Sequence, residues 1–424
     1  MKPYVFEIAE TDPVQLFEAV HNQPYALLLD SADRNHPNAQ KSFIFFAPLK
    51  IITNGFDELE KHLKERSAFA AGYFGYDLGR TLEKLPQDTI ENKDVPIMAI
   101  GLYDFAIEFD HAKQKAQIII YAENPKERKQ EILHVISQTK PELQNAPSQL
   151  HWTSNFTENA HKEKVQKIID YIHEGDIFQA NLSQRFSADL PEIFNTWEHY
   201  KALRQINPAP FASYFNCGDI KISSASPERF LVLQDDHVET RPIKGTLPRS
   251  MPKEILENNE KDRAENIMIV DLLRNDLSKV CETHSIEVPE LCKLETFANV
   301  HHLVSTVTGK LKENQTALDL LKACFPGGSI TGAPKIRSME IIEELETHSR
   351  GPYCGAMGYI TPDGNMDTNI LIRTLIYNGD KVSFNVGGGI TAASTPAAEY
   401  QETLDKAKGI FESFGPKEKF EAAE

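Results

Sequence analysis

The period of the apolar positions changes repeatedly along the chain, and each change predicts an element. Four short apolar runs between turn-formers, 25–30, 43–47, 71–76 and 116–121, read as buried strands. Residues 124–148 are polar and hold Pro125, Pro141 and Pro147, which predicts a linker. After Thr157, Val165, Ile168, Ile169 and Ile172 recur at helical spacing, and Gly175 is a natural stop. Residues 176–186 then alternate. Phe178, Ala180, Leu182 and Phe186 share one face, and Gln179, Asn181, Ser183 and Arg185 the other. That pattern is either a half-exposed edge strand or the polar floor of a ligand site. Over 261–280, Ala264, Ile267, Met268, Ile269, Val270, Leu272, Leu273 and Leu277 spread round most of a helix, predicting burial on nearly all sides.

The last third reads as a meander. Residues 355–360 turn at 362–364 into a continuous strand over 369–377, with Arg373 in its middle. Asn378-Gly379 is a strong hairpin signal. Val382, Phe384 and Val386 alternate in the next strand, which ends in Gly387, Gly388 and Gly389; a close approach by another group is one reading and a mobile loop the other. A final helix has Thr395 as its cap and Pro396 at its first position, with Ala397, Tyr400, Leu404, Ala407, Phe411 and Phe414 as its core stripe. Between strand-like 299–309 and the helix through 339–345 lies a Gly/Pro loop, 324–337, whose glycine spacing is not that of a Walker loop.

Several polar residues interrupt these patterns. Val238, Thr240, Pro242 and Lys244 share a strand face, and Gly245 then permits a tight turn. Lys244 is either a surface lysine or an amine nucleophile, which needs desolvation or a cationic neighbour. Asp262 and Glu265 share one helix face, so they are either ion-paired to Arg263 or Arg274 or gathered for a metal. Glu399, Glu402 and Lys406 form a second stripe, which alone could be a solvated face. Glu228, after Ser-Pro, reads by itself as a turn residue. Arg373, inside an apolar run, requires an anionic partner if buried.

Composition narrows the partners. The net charge of −17 argues against nucleic acid, and obliges an anionic substrate to meet local positive charge or a metal. Five scattered cysteines without a Cys-x-x-Cys pair suit reduced thiols in a cytoplasm. The opening residues carry acids and a proline where a signal peptide would be apolar, and no run reaches membrane-spanning length. A length of 424 residues allows an N-terminal region, 1–145, and a larger one, 146–424.

Ten strings in order from Gly175 to Lys408 resemble the chorismate-utilising enzymes: GDIFQANLSQRF, SASPERF, RPIKGT, KDRAENIMIVDLLRND, HHLVS, FPGGSITGAPK, GPYCGAMGYI, ILIRT, VGGGIT and AAEYQETLDKA. The resemblance implies an α/β (α+β) fold of two antiparallel sheets packed as a sandwich, flanked by helices, with the site between the sheets. Lys244 is similar to the lysine of members that aminate chorismate at C4, where anthranilate-forming members carry alanine. Gln179 stands where isochorismate and salicylate synthases place a lysine base, so ammonia rather than water is the expected nucleophile. The string LLLDS at 27–31 more weakly resembles a strand that helps form a tryptophan pocket in relatives.

The resemblance also implies roles. Glu265 and Glu402 would hold Mg2+ on the ring carboxylate, with Asp262 and Glu399 in support; a hard, oxygen-ligated ion suits paired carboxylates. Arg373 and Tyr353 would bind the enolpyruvyl carboxylate, Gly387, Gly389 and Thr246 would supply backbone donors, and Lys406 would reach a carboxylate. Gln179 would line the substrate site. Glu228 would protonate the departing C4 hydroxyl, Lys244 would attack C2, and His302 would position the ring. Ammonia, free or from a separate glutaminase subunit, would then give 4-amino-4-deoxychorismate, a precursor of para-aminobenzoate and folate. The rival readings are anthranilate synthase component I and a non-catalytic chorismate-binding subunit.

Overall fold

The computed structural model of the chain describes residues 2–138, 149–296 and 300–415. A strand face that is apolar must be covered, and here two antiparallel sheets cover one another. Leu27, Phe43, Phe215 and Ile222 of the first sheet pack against Phe69, Tyr73 and Met357 of the second. Helices cover the outer faces: Thr196–Ile206 carries Trp197 and Tyr200 onto the first sheet, and Glu260–Ser278 carries Val270 and Leu277 onto the second.

The first sheet runs, in spatial order, from Tyr4–Ile8 through Lys115–Ile120, Phe105–Asp110, Lys41–Phe45 and Leu27–Asp30 to Phe211–Cys217. It continues through Ile220–Ser226, Thr374–Asn378, Lys381–Ile390 and Gln179–Asp189 to Gly332–Ala333. The second runs from Ile243–Pro248 through Val300–Lys310, His237–Thr240, Arg229–Gln234, Met366–Ile370 and Ala356–Ile360 to Phe69–Phe74, Met98–Tyr103 and Lys50–Ile52. Each sheet therefore takes strands from both sides of the boundary drawn near residue 145, which itself lies outside the described residues.

Four expectations are corrected. The region read as a linker begins with a helix, Pro125–Ile136, which buries only Ile132; its polar composition is that of a surface helix, and Pro125 suits a first helical turn. The run 369–377 is two strands in different sheets, because the chain crosses at Arg373 with φ 51°. The Glu260–Ser278 helix is one-sided: Glu265, Asn266, Ile269, Val270, Leu273 and Leu277 are buried, while Ile267 is exposed. The Pro396–Ser413 helix buries Glu399, Thr403, Ala407 and Ile410, with Ala397 exposed and no side-chain cap bond from Thr395. Its first turn directs Glu399 to Lys261 Nζ and Ser394 Oγ rather than to the core, so its apolar stripe starts later.

The Arg373 crossing has a neighbour. The chain also crosses between sheets from Ile220–Ser226 to Arg229–Gln234, with Glu228 at the crossing. The two crossings are stitched together. Ile370 N–H donates to Glu228 O at 3.0 Å, Ala225 N–H to Arg373 O at 3.1 Å, and Ser226 Oγ to Ile370 O at 2.5 Å. A carboxyl and a guanidinium thus leave the backbone at one place between the sheets.

Candidate active site

Ile243–Pro248 pairs with Val300–Lys310, which sets Lys244 against Leu303 and Thr246 against His302. The register slips between Lys244 and Thr246, and Gly245 has φ 77°. This is a β-bulge within a strand that runs on to Pro248, not the tight turn expected at a strand end. A Cβ on Gly245 would lie 2.7 Å from Leu256 Cδ1 and 2.8 Å from Asp262 Oδ2. The missing side chain lets the carboxylate-bearing helix approach the strand of Lys244.

Lys244 Nζ donates to Ser329 O at 3.2 Å. The Ser329 hydroxyl bonds the Glu228 carboxyl, so one loop residue touches both groups. Glu228 is buried, and burial raises its pKa above the ordinary carboxyl value; the Ser329 bond and the charges of Lys244 and Lys406 oppose this without cancelling it. His302 Nδ1 is 3.0 Å from Thr246 Oγ1, and burial lowers the ring to about 4, with the Arg373 charge acting in the same direction. Imidazole is the form present at neutral pH.

Four carboxylates gather from the two helices. Burial raises the pKa of Asp262, aided by Glu402, and that of Glu265, aided by Asp262 and Glu399. Glu402 goes the other way: burial raises it, but the charge and hydrogen bond of Lys406, with Lys261 and Lys244, bring it below the usual value. Lys406 Nζ lies 2.7 Å from Glu402 Oε1 and donates to Gly387 O at 2.8 Å. The ion pairs considered for Asp262 and Glu265 with Arg263 or Arg274 do not form; Arg274 pairs with Asp271, and Lys261 Nζ is 3.9 Å from Glu265.

The three glycines sit inside Lys381–Ile390, not at its end, and each admits a close neighbour. A Cβ at 388 would lie 3.2 Å from Glu402 Oε1 and 3.3 Å from Glu399 Oε2; one at 389 would lie 2.2 Å from Gln179 Nε2. One at 387 would strike Leu182 O at 2.3 Å. Among the described residues no three His, Cys, Asp or Glu side chains stand together at metal-holding distance. The donor chemistry nonetheless fits Mg2+, which takes one or two carboxylates and keeps its waters. Glu399 Oε2 is buried without a hydrogen-bond partner, beside Glu402 over Gly388.

Burial lowers the pKa of Arg373, and among the described residues its guanidinium pairs with no carboxylate. Gln179 is fully buried with both amide atoms unpartnered, and Asn181 Oδ1 likewise lacks a partner. Tyr353 is packed in the apolar core beside Arg350, whose guanidinium carbon is 5.9 Å from its ring centroid. Leu29, Asp30 and Ser31, from the LLLDS string, line a separate cavity of about 770 Å³ with Phe43, Met357 and Tyr359.

Sequence reasoning missed four residues. Ser329 lies in the Gly/Pro loop, whose string carries the resemblance but gives this residue no role. Lys261 has no periodic signature. Arg350 and Glu346 form a buried ion pair at 2.7 Å that also holds Ser183 N, Asn181 O and Ile330 O.

A family model described as chorismate binding enzyme matches residues 10–412. The aminodeoxychorismate synthase component 1 of Salmonella typhimurium is 40% identical over 93% of this chain and 94% of its own length. The protein of the same name from Escherichia coli is 39% identical with the same coverage. The crystal structure of anthranilate synthase component I from Streptococcus pneumoniae superposes with a TM-score of 0.78 at 32% identity, covering 88% of this chain and 92% of that one.

Proposed function

The chain belongs to the family of chorismate binding enzymes, and we propose that it aminates chorismate at C4, giving 4-amino-4-deoxychorismate. The observation that carries this reading is the pairing of the Lys244 amine with the buried Glu228 carboxyl through Ser329. An anthranilate-forming site has no need of that amine.

The Lys244 amine bonds to C2 as the C4–O bond breaks and both double bonds of the ring diene shift. Glu228 gives its proton to the leaving hydroxyl, which departs as water, and the attacking nitrogen releases one proton. Ammonia then bonds to C4 and passes a proton to the departing nitrogen, both double bonds shift back and the C2–N bond breaks, returning Lys244 as an amine. Chorismate and ammonia are consumed; the amino product and water are formed. Burial raises the Glu228 pKa, the direction a general acid requires.

Arg373 meets the enolpyruvyl carboxylate, which supplies the anion its guanidinium lacks, and Tyr353 supports that end through the core. Thr246, Gly387 and Gly389 offer backbone donors, and His302 orients the ring as neutral imidazole. Glu265 and Glu402 would hold Mg2+, with Asp262 and Glu399 in support and Lys406 at the same edge. When bound, the ion offsets the substrate's charge in an acidic protein. Gln179, whose amide is buried and unpartnered, would line the substrate site. A separate glutaminase subunit supplies the ammonia; relatives named component 1 support such a division. The five buried free thiols suit a reducing cytoplasm.

The test is to incubate the purified chain with chorismate, Mg2+ and an ammonium salt. The expected product is 4-amino-4-deoxychorismate, which becomes para-aminobenzoate only when a lyase is added. Fluorescent anthranilate without a lyase would establish the rival synthase activity, and chorismate binding without turnover would leave only a binding role.

A further inference from the structure

Lys261 has no role in the proposed reaction. It lies in the first turn of Glu260–Ser278, one residue before Asp262 and four before Glu265. Its ammonium reaches the facing helix, 3.0 Å from Glu399 Oε1 and 3.9 Å from Glu265 Oε1. Among the described residues no other cation lies within ion-pair distance of either carboxylate. Glu399 is only 3% exposed, yet its second oxygen has no partner, while Ser394 and Lys261 share the first. The gap between the two helices is therefore half-filled by a tethered positive charge.

The carboxylates of Glu265 and Glu399 can be neutralised by that ammonium or by a divalent ion. Both at once would set like charges a few ångströms apart in a partly dry site, where repulsion is strong. We propose that Lys261 is a built-in counter-ion that occupies the Glu265–Glu399 gap in the metal-free protein and must vacate it when Mg2+ binds. The inference rests on the metal reading above.

Formal charges show the consequence. Asp262, Glu265, Glu399 and Glu402 against Lys244, Lys261, Lys406 and Arg373 leave the site at 0. Metal alone takes it to +2, and metal with a dianionic substrate returns it to 0. Lys261 thus makes Mg2+ bind weakly alone and well together with chorismate. The side chain can leave without backbone rearrangement, because it is about one-third exposed on a helix's first turn.

Titration calorimetry of Mg2+ into the protein, in ammonia-free buffer with and without chorismate, tests this. Lys261→Met should bind Mg2+ about tenfold tighter than the parent without chorismate, the scale typical of groups that touch metal ligands. The strengthening by chorismate should shrink accordingly. Lys261→Arg, which keeps the charge, should behave as the parent. Should the methionine variant melt early, Lys261→Gln carries the same expectation, since it can donate to Glu399 without a charge. Unchanged or weaker Mg2+ binding in the uncharged variants would overturn the proposal. No saturable Mg2+ binding in parent or variant, even with chorismate, would instead overturn the metal reading itself.

Discussion

Ser329 accepts from Lys244 Nζ at its carbonyl and gives its hydroxyl to the Glu228 carboxyl, so one buried loop residue neighbours both the proposed nucleophile and the proposed acid. The acid must be protonated to act, and its pKa is raised chiefly by burial. Activity should therefore be high on the acid side and fall as pH rises through that raised value. Glu228→Gln should lower kcat by about 10²- to 10⁴-fold, the usual worth of a positioned acid, and erase this alkaline limb from kcat/KM. A limb that survives in the variant belongs to another group. Lys244→Ala should abolish amination and also remove any covalent adduct seen by mass spectrometry of acid-quenched protein. Undiminished turnover with no adduct in either protein would deny the lysine its role as nucleophile. Neither residue announces itself locally in the sequence. Glu228 looks like a turn residue until its string is placed among nine others, because its burial comes from a sheet crossing that no local pattern encodes.

Elements defined by local signals were legible. Thr157 caps Glu158–Glu174 through a bond from Ala160 N–H, and Gly175 ends it at φ 87°. Elements whose phase answers to distant neighbours were not. Ala397 belongs to an apolar stripe on paper, yet Glu399 and Thr403 are buried instead, since that end of the helix must meet the site. The bulge at Gly245 shows the same limit. Glycine after Lys244 suggested a turn, but the cause of the glycine is the Glu260–Ser278 helix lying against it. Gly245→Ala combines an unfavourable φ with a clash on Leu256 and Asp262. It should cost about 1–3 kcal/mol in urea denaturation. Because the bulge aims Lys244, kcat should fall as well, even at temperatures where the variant remains folded. A variant of parental stability and rate would mean that the bulge is not needed to place the amine.

The molecule as a whole is two sheets sharing strands from both halves of the chain, with the site where the chain crosses twice between them. The continuous apolar run 369–377 hid one crossing, since a strand that changes sheets keeps its composition. So large a shared core has an effect on acid stability. Burial lowers His36, His111, His161 and His302 to about 4 and His199 to about 3. In the unfolded chain each titrates near 6.5. Acid therefore delivers protons to the unfolded chain first. The stability from neutral burial is fully present above pH 6.5 and is lost as pH falls towards 4. Asp77 has the opposite sign: burial raises it to about 6, so its contribution is present below its unfolded value and lost as pH rises through 6. Glu228, Asp262 and Glu265, also raised by burial, share Asp77's sign and oppose the imidazoles. His161 isolates the effect, because burial is its sole cause, both ring nitrogens are unpartnered, and it packs between Phe156 and Tyr400. His161→Phe keeps a ring in that gap and cannot be protonated. Between pH 7 and 4.5 its urea-derived stability should fall by about 2 kcal/mol less than the parent's. Parallel pH curves for the two proteins would show that His161 takes up no proton on unfolding, and would move the origin of acid sensitivity to the carboxylates.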